Sequence, residues 1–295
     1  MRILLFLALL LLAVPADAQT FLKQWSTQGS YVAVSPDGIV YVGSGYMQRF
    51  TPDGTLIPDG WNPRWGESGG ADGVAIAPDG SVWEALGFSV IAFNRDGTQF
   101  IGGWYPGDWT GHFEPFMGGV AIDALGRVCL LDNDDEDTRI EVRSLGSAMI
   151  LSYFMAGGRA IAADHLGNLY VGNVYNNGVT MYSSTGAVLA AWGGAGSGPG
   201  EFTGMGGIAV APDGNIYVVD SGNCRVQVFS PRGTYLGQFG TKGTGPGQFV
   251  SPSSIAFDAT GNAYVTDTGR VEKFATTDPT PARTSTWGHL KAEYR

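Results

Sequence analysis

One short pattern recurs six times along the chain, each time closed by a glycine: Gly38, Gly80, Gly126, Gly167, Gly214 and Gly261. Each glycine follows an apolar run such as Val32-Ala-Val, Val74-Ala-Ile or Ile208-Ala-Val. The intervals are 42, 46, 41, 47 and 47 residues. A near-constant period of this size signals an array of similar supersecondary units. Residues 206–240 show one unit most clearly. Four short apolar runs are separated by Pro212-Asp-Gly214, Ser221-Gly-Asn223 and Ser230-Pro-Arg-Gly233, which are turn-forming clusters. Four strands per period is the pattern of a propeller blade. Six periods predict an all-β, six-bladed β-propeller of four-stranded antiparallel blades.

The unit resembles the NHL repeat. The resemblance rests on Gly196-Ser-Gly-Pro-Gly-Glu-Phe202 and Gly243-Thr-Gly-Pro-Gly-Gln-Phe249, on Tyr217-Val-Val-Asp220, and on Asn223-Cys-Arg225-Val. Blade 6 repeats it with Ile255-Ala-Phe257, Tyr264-Val-Thr-Asp267 and Arg270-Val. Blades 1 to 4 keep the strand pattern with fewer of these residues, and blade 2 has Glu84-Ala-Leu86 leading into the aspartate position. The resemblance implies a closed six-bladed ring.

Residues 1–18 read as a signal peptide. Arg2 is the charged n-region, Ile3 to Val14 the apolar stretch, and Ala16-Asp-Ala18 the cleavage site. The apolar stretch is too short to span a bilayer. The expectation is a secreted or periplasmic protein with a propeller over 19–288 and a tail over 289–295. The 44% hydrophobic content is periodic, which separates the chain from a disordered one. A net charge of −10 argues against nucleic acid, which is bound through basic patches, and against anionic lipid. Cys129 and Cys224 fall in blades that are not neighbours, so no disulfide is expected between them. A monomer is expected.

A ring must hide its free edges. Phe21-Leu-Lys-Gln-Trp25 parallels the fourth strand at Tyr235-Leu-Gly-Gln-Phe239, so it is expected to complete blade 6. Arg283 to Gly288 also reads as a fourth strand, and the sequence leaves open which of the two closes the ring. Within each blade, call the strands a to d from the axis outward. The b–c loops and d–a connections then share one end of the propeller, and the uniform a–b turns and the c–d turns share the other. Variable loops on a rigid scaffold carry binding, so the b–c and d–a end is expected to hold the site.

Three features at that end stand out. Asp132, Asp134, Asp135 and Asp137 crowd the b–c loop of blade 3, and clustered oxygens suit a hard cation such as Ca²⁺. The bland reading is a solvated tip, with Asp132 pairing structurally near Arg139. The connection into blade 3 carries Tyr105 and Trp109, aromatics suited to a peptide or glycan. Phe113 there occupies the place of Phe202 and Phe249 and is expected to wedge between blades. Finally, Ser30, Asp72, Gly118, Arg159, Gly206 and Ser253 open the inner strands and should ring the channel, with Tyr31 beside them. Asp72 and Arg159 are the charges of that ring. A structural ion pair between them is the bland alternative to a ligand site. The repeated Asp220/Arg225 and Asp267/Arg270 pairs read as scaffold.

Two functions compete. The preferred one is a non-catalytic module that binds a protein, peptide or glycan. The alternative is a propeller enzyme, either a Ca²⁺-dependent hydrolase or lactonase. Peptidylamidoglycolate lyases, relatives of this repeat, hold zinc with histidines from several blades. Here only His112, His165 and His289 are present, and His112 and His165 fall at opposite ends, so that activity is disfavoured. No clear nucleophile–base pairing is visible in the sequence.

Overall fold

A computed structural model describes residues 19–43, 47–58, 71–86, 89–104, 117–133, 138–144, 149–154, 157–173 and 175–276. The signal-like segment, the second candidate closing strand at 283–288 and the tail lie outside the described residues.

The six inner strands are Tyr31–Val34, Ala71–Ile76, Met117–Ile122, Ala160–Ala163, Met205–Val210 and Ser254–Phe257. Each packs beside the next, and the sixth returns to the first, so the sheets close into a ring. Blades 2 to 5 each carry four antiparallel strands in chain order. Blade 1 carries three, extended by a single pairing of Phe50 with Leu56. In blade 6 the fourth strand comes from the other terminus: Thr20–Ser26 pairs antiparallel with Arg270–Ala275. The expected closure by 21–25 is what the structure contains. Trp25 anchors it against Phe50 of blade 1 and Tyr264 of blade 6, with ring centroids 6.0 and 6.1 Å away.

The turn glycines have a common physical cause. All six have φ between +72° and +86°, a region that L side chains avoid. In each case the glycine N–H donates back to the carbonyl three residues earlier, as Gly214 does to Ala211 at 2.8 Å. In five of the turns, at residues 79, 123, 164, 213 and 258, an aspartate accepts backbone N–H bonds and fixes the corner.

Burial falls most heavily on the second strands rather than the inner ones. Every residue of Val40–Gly43, Leu169–Asn173, Ile216–Asp220 and Ala263–Asp267 is buried. Inner strands such as Tyr31–Val34 are buried only at their centres, because one edge borders the channel. Each seam is therefore a sandwich of second-strand residues against the next blade. Between blades 5 and 6, Tyr217, Val219, Val226 and Val228 pack against Ile255, Val265 and Phe274. Phe202 and Phe249 wedge into the seams at the ends of the glycine-rich connections, both fully buried.

One seam departs from this. Val82 of blade 2 packs against Tyr41 and Met47 of blade 1, whereas Trp83 and Ala85 face blade 3. Strand alternation puts Glu84 on the Val82 side, facing blade 1. It occupies the slot of Val218 and Val265. Glu84 is 5% exposed and its Oε1 has no hydrogen-bond partner. Burial pushes its carboxyl up to about 7.

Candidate functional site

The channel mouth is built by irregularity in the inner strands. In blade 2 the ladder skips Asp72, between the pairs Ala71 with Leu86 and Gly73 with Ala85. In blade 3 it skips Gly118, and in blade 5 it breaks at Gly206 and Gly207. Ser30, Arg159 and Ser253 each sit just outside their strand, held by one backbone bond to strand b, with Arg159 N–H donating to Gly172 O at 2.9 Å. Bulges of this kind re-aim side chains and gather at barrel rims and active sites. The predicted rim positions are thus the ones released from the regular ladder.

The strands also approach closely there. A Cβ on Gly73 would lie 3.1 Å from Val120 N, and one on Gly207 2.9 Å from Ser254 Cα. The rim hydroxyls staple blade 6 to blade 1: Ser253 Oγ and Thr266 Oγ1 each donate to Ser30 O at 2.8 Å. Ser221 Oγ donates to Pro252 O across the next seam. None of these serines meets a histidine among the described residues. His165 is exposed in the a–b turn of blade 4, at the other end. Cys129 is no nucleophile either, since burial pushes its thiol up to about 12. Both cysteines are free.

Of the rim positions whose side chains are described, Arg159 carries the one charge. It is exposed, and no ion pair holds it among the described residues. Tyr31 is half-buried at the start of its strand. Asp72 lies in the bulge of blade 2, but its side chain, like that of Asp132, is not described. Asp132, next to last in its strand, lies opposite Arg139, the register that Asp220 shares with Arg225 and Asp267 with Arg270. Tyr105, Trp109, Asp134, Asp135 and Asp137 lie outside the described residues, as do His112 and Phe113. Among the described residues no group of three histidines, cysteines or carboxylates could hold a metal ion. Nor is any helix there long and apolar enough to cross a membrane.

The Asp/Arg pairs are clamps on the d–a connections. Asp220 accepts from Thr203 N at 2.9 Å and from Arg225 Nε at 2.7 Å. Arg225 then donates to the carbonyls of Gly198 and Glu201, both at 2.9 Å. In blade 6, Asp267 accepts from Val250 N and Ser251 N, and Arg270 reaches the carbonyls of Thr244 and Gln248. These pairs tie the connections to the blades, so the connections belong to the frame.

Blade 4 lacks the clamp. Asn173 and Gly178 stand where Asp and Arg pair in blades 5 and 6. Asn173 Oδ1 turns the loop by accepting from Tyr175 N at 2.8 Å. Tyr175 emerges 83% exposed, the most exposed large hydrophobic side chain among the described residues. Its ring lies against Gly157, where an added Cβ would come within 2.2 Å of the ring. Arg159 is two residues farther on. The sequence offered a signal for Tyr175: loss of the repeat's Asp and Arg in blade 4 marks a loop no longer tied down.

Cavities also occur at the other end. Two clefts of about 240 and 350 Å³ open at the seam of blades 1 and 2, both lined by Asp37 and Arg95. Asp37 and Arg95 form an ion pair across that seam.

Comparison with known proteins adds to this geometry. The NHL repeat matches residues 203–229. That is one blade's worth, mostly the inner three strands of blade 5. No curated protein sequence matches the chain. Several solved structures share the fold. A streptogramin B lyase superposes with a TM-score of 0.61 at 13% identity, covering 89% of this chain and 99% of its own. A gluconolactonase from Xanthomonas campestris gives 0.64 at 14%, covering 89% and 98%. A virginiamycin B lyase from Staphylococcus aureus gives 0.58 at 12%, covering 83% and 80%. Each of these three is an enzyme. The expectation that the chain is more a binding module than an enzyme is therefore corrected. Absence of a clear nucleophile–base pairing carried that expectation, and at 12–14% identity the shared fold leaves no linear motif to read.

Proposed function

We propose that the chain is an enzyme of the lactonase kind, acting at the channel mouth on the end that carries the b–c and d–a connections. The observation that carries this reading is Arg159: an exposed guanidinium without an ion pair among the described residues, on a rim where bulges release the inner strands. Of the fold neighbours named above, the gluconolactonase suggests the reaction class. In such a reaction water adds to the ester carbonyl carbon and the ring carbon–oxygen bond breaks. The ring oxygen leaves as a hydroxyl, and the new acid gives its proton to solvent. Negative charge builds on the carbonyl oxygen during the addition. A cation fixed at that place stabilises it more than it stabilises the neutral ester.

The test is a panel of sugar and aliphatic lactones with the purified chain. Arg159→Ala should lower kcat/KM roughly 100-fold, the scale of losing one charge-stabilising donor. Hydrolysis no faster than in buffer, or equal rates for Arg159→Ala, would overturn the reading. Running the panel with and without chelator reports whether the acidic tip at 132–137, whose donors suit Ca²⁺, contributes a cation. We also propose that residues 1–18 direct export, which N-terminal sequencing of the secreted product would check by finding Gln19 first.

A further inference from the structure

Blade 4 is the place where the propeller's own frame gives way to an exposed aromatic surface. Three independent features coincide there. The clamp that ties down the equivalent loops of blades 5 and 6 is missing, because Asn173 pairs with Gly178 instead of Asp with Arg. The freed loop is still ordered, since Asn173 Oδ1 accepts from both Tyr175 N and Asn176 N, at 2.8 and 3.3 Å. Asn177, at φ +51°, completes the turn, and its carbonyl accepts from Gly194 N–H at 2.8 Å. An ordered loop that holds a large ring in water loses the burial such a ring would otherwise gain, about 25 cal/mol for every Å² left exposed.

The second feature is Gly157. At φ +53° it is left-handed, and its bare Cα lets the Tyr175 ring approach the connection into blade 4 closely. Any side chain there would displace the ring. The third is position. Arg159 follows Gly157 by two residues, and its carbonyl lies 3.4 Å from where a Cβ of Gly119 would stand in the inner strand of blade 3. The ring is thus placed at the edge of the channel mouth, beside the group assigned to the reacting carbonyl.

We propose that Tyr175, seated on Gly157, is the specificity platform of the channel-mouth site, and that the substrate class is lactones whose ring or acyl part carries a flat hydrophobic face, such as a pyranose or an aromatic ring. A flat face laid on Tyr175 recovers the burial that the free protein forgoes. The reacting ester then lies over the rim, within reach of Arg159. Unsubstituted aliphatic lactones offer no such face and gain nothing from Tyr175. This inference rests on the lactonase reading for the word "substrate", but the platform itself is testable by equilibrium binding.

The experiment has two arms on the whole chain. In the first, binding of a phenyl-substituted hydroxy acid and of gluconate is measured by calorimetry for the wild type, Tyr175→Ala, Tyr175→Phe and Leu166→Ala. Leu166 is exposed in the a–b turn of blade 4 and serves as the control. Tyr175→Ala should weaken binding of the phenyl-substituted acid roughly 3- to 10-fold, the scale of one aromatic contact, and leave that of open-chain gluconate unchanged. Tyr175→Phe should keep wild-type affinity, as should Leu166→Ala. In the second arm, the ratio of KM for ring-bearing to unsubstituted lactones should rise by a similar factor in Tyr175→Ala. No binding by the wild type, or equal binding of the phenyl-substituted acid by Tyr175→Ala, overturns the platform. Binding as expected with no turnover of any lactone overturns the enzymatic reading alone.

Discussion

Glu84 gives the sharpest quantitative test of how this ring is held together. Its carboxyl is buried between blades 1 and 2, without a partner for Oε1, and is raised from an ordinary 4.5 to about 7. Between those values the unfolded chain releases the proton while the folded chain keeps it. The contribution of Glu84 to stability is therefore greatest below about pH 4.5, falls as pH rises, and is fully lost above about pH 7. At about 1.36 kcal/mol per pKa unit, that loss is roughly 3 kcal/mol. Glu84→Val installs the residue that blades 5 and 6 carry in the same slot. The variant should overtake the wild type as pH rises, with the stability difference growing by about 3 kcal/mol between pH 4.5 and 8. Urea unfolding followed by tryptophan fluorescence at several pH values reads this directly. Glu272 is also raised to about 7, by burial against the opposing pull of Arg270, but it is present in both proteins and cancels in the difference. A difference between the two proteins that stays constant with pH would refute the reasoning.

Two further outcomes follow from the frame. Asp220→Ala leaves the buried Arg225 without its carboxylate and frees Thr203 N, and should cost about 3–5 kcal/mol by urea unfolding at neutral pH. Gly214→Ala meets no atom within 4 Å, so its cost is the backbone's alone, about 1 kcal/mol at φ +86°. A much larger loss in thermal unfolding would mean that the turn is packed rather than merely twisted.

The parts of the fold that repeat were legible, because each blade states the same physics again. Six positive-φ glycines and six apolar runs fix the blade count, and Phe21 to Trp25 matches a fourth strand well enough to predict the closure. The phenylalanines of the glycine-rich loops wedge as their spacing implies. The irregular starts of the inner strands share one offset from the turn glycine, at Asp72, Gly118 and Gly206. What stayed hidden was whatever differs between blades. Glu84 reads on paper as one polar residue in a worn repeat, and only packing shows that it fills a valine slot. Tyr175 was passed over because the eye follows the residues a repeat keeps, while the informative ones were those blade 4 had lost. The catalytic question was misjudged for a related reason. A propeller site is assembled from several blades, so its members are scattered through the chain and form no motif.

The pairing of Thr20–Ser26 with Arg270–Ala275 joins the first described strand of the propeller to its last. Until blade 6 emerges, the opening strand has no partner, and blades 1 to 5 form an arc with two bare flanks. Contacts this distant in sequence are slow to form. An emerging chain would therefore be at its stickiest just before completion, and a bulky fusion ahead of Gln19 would sit beside the last joint to set.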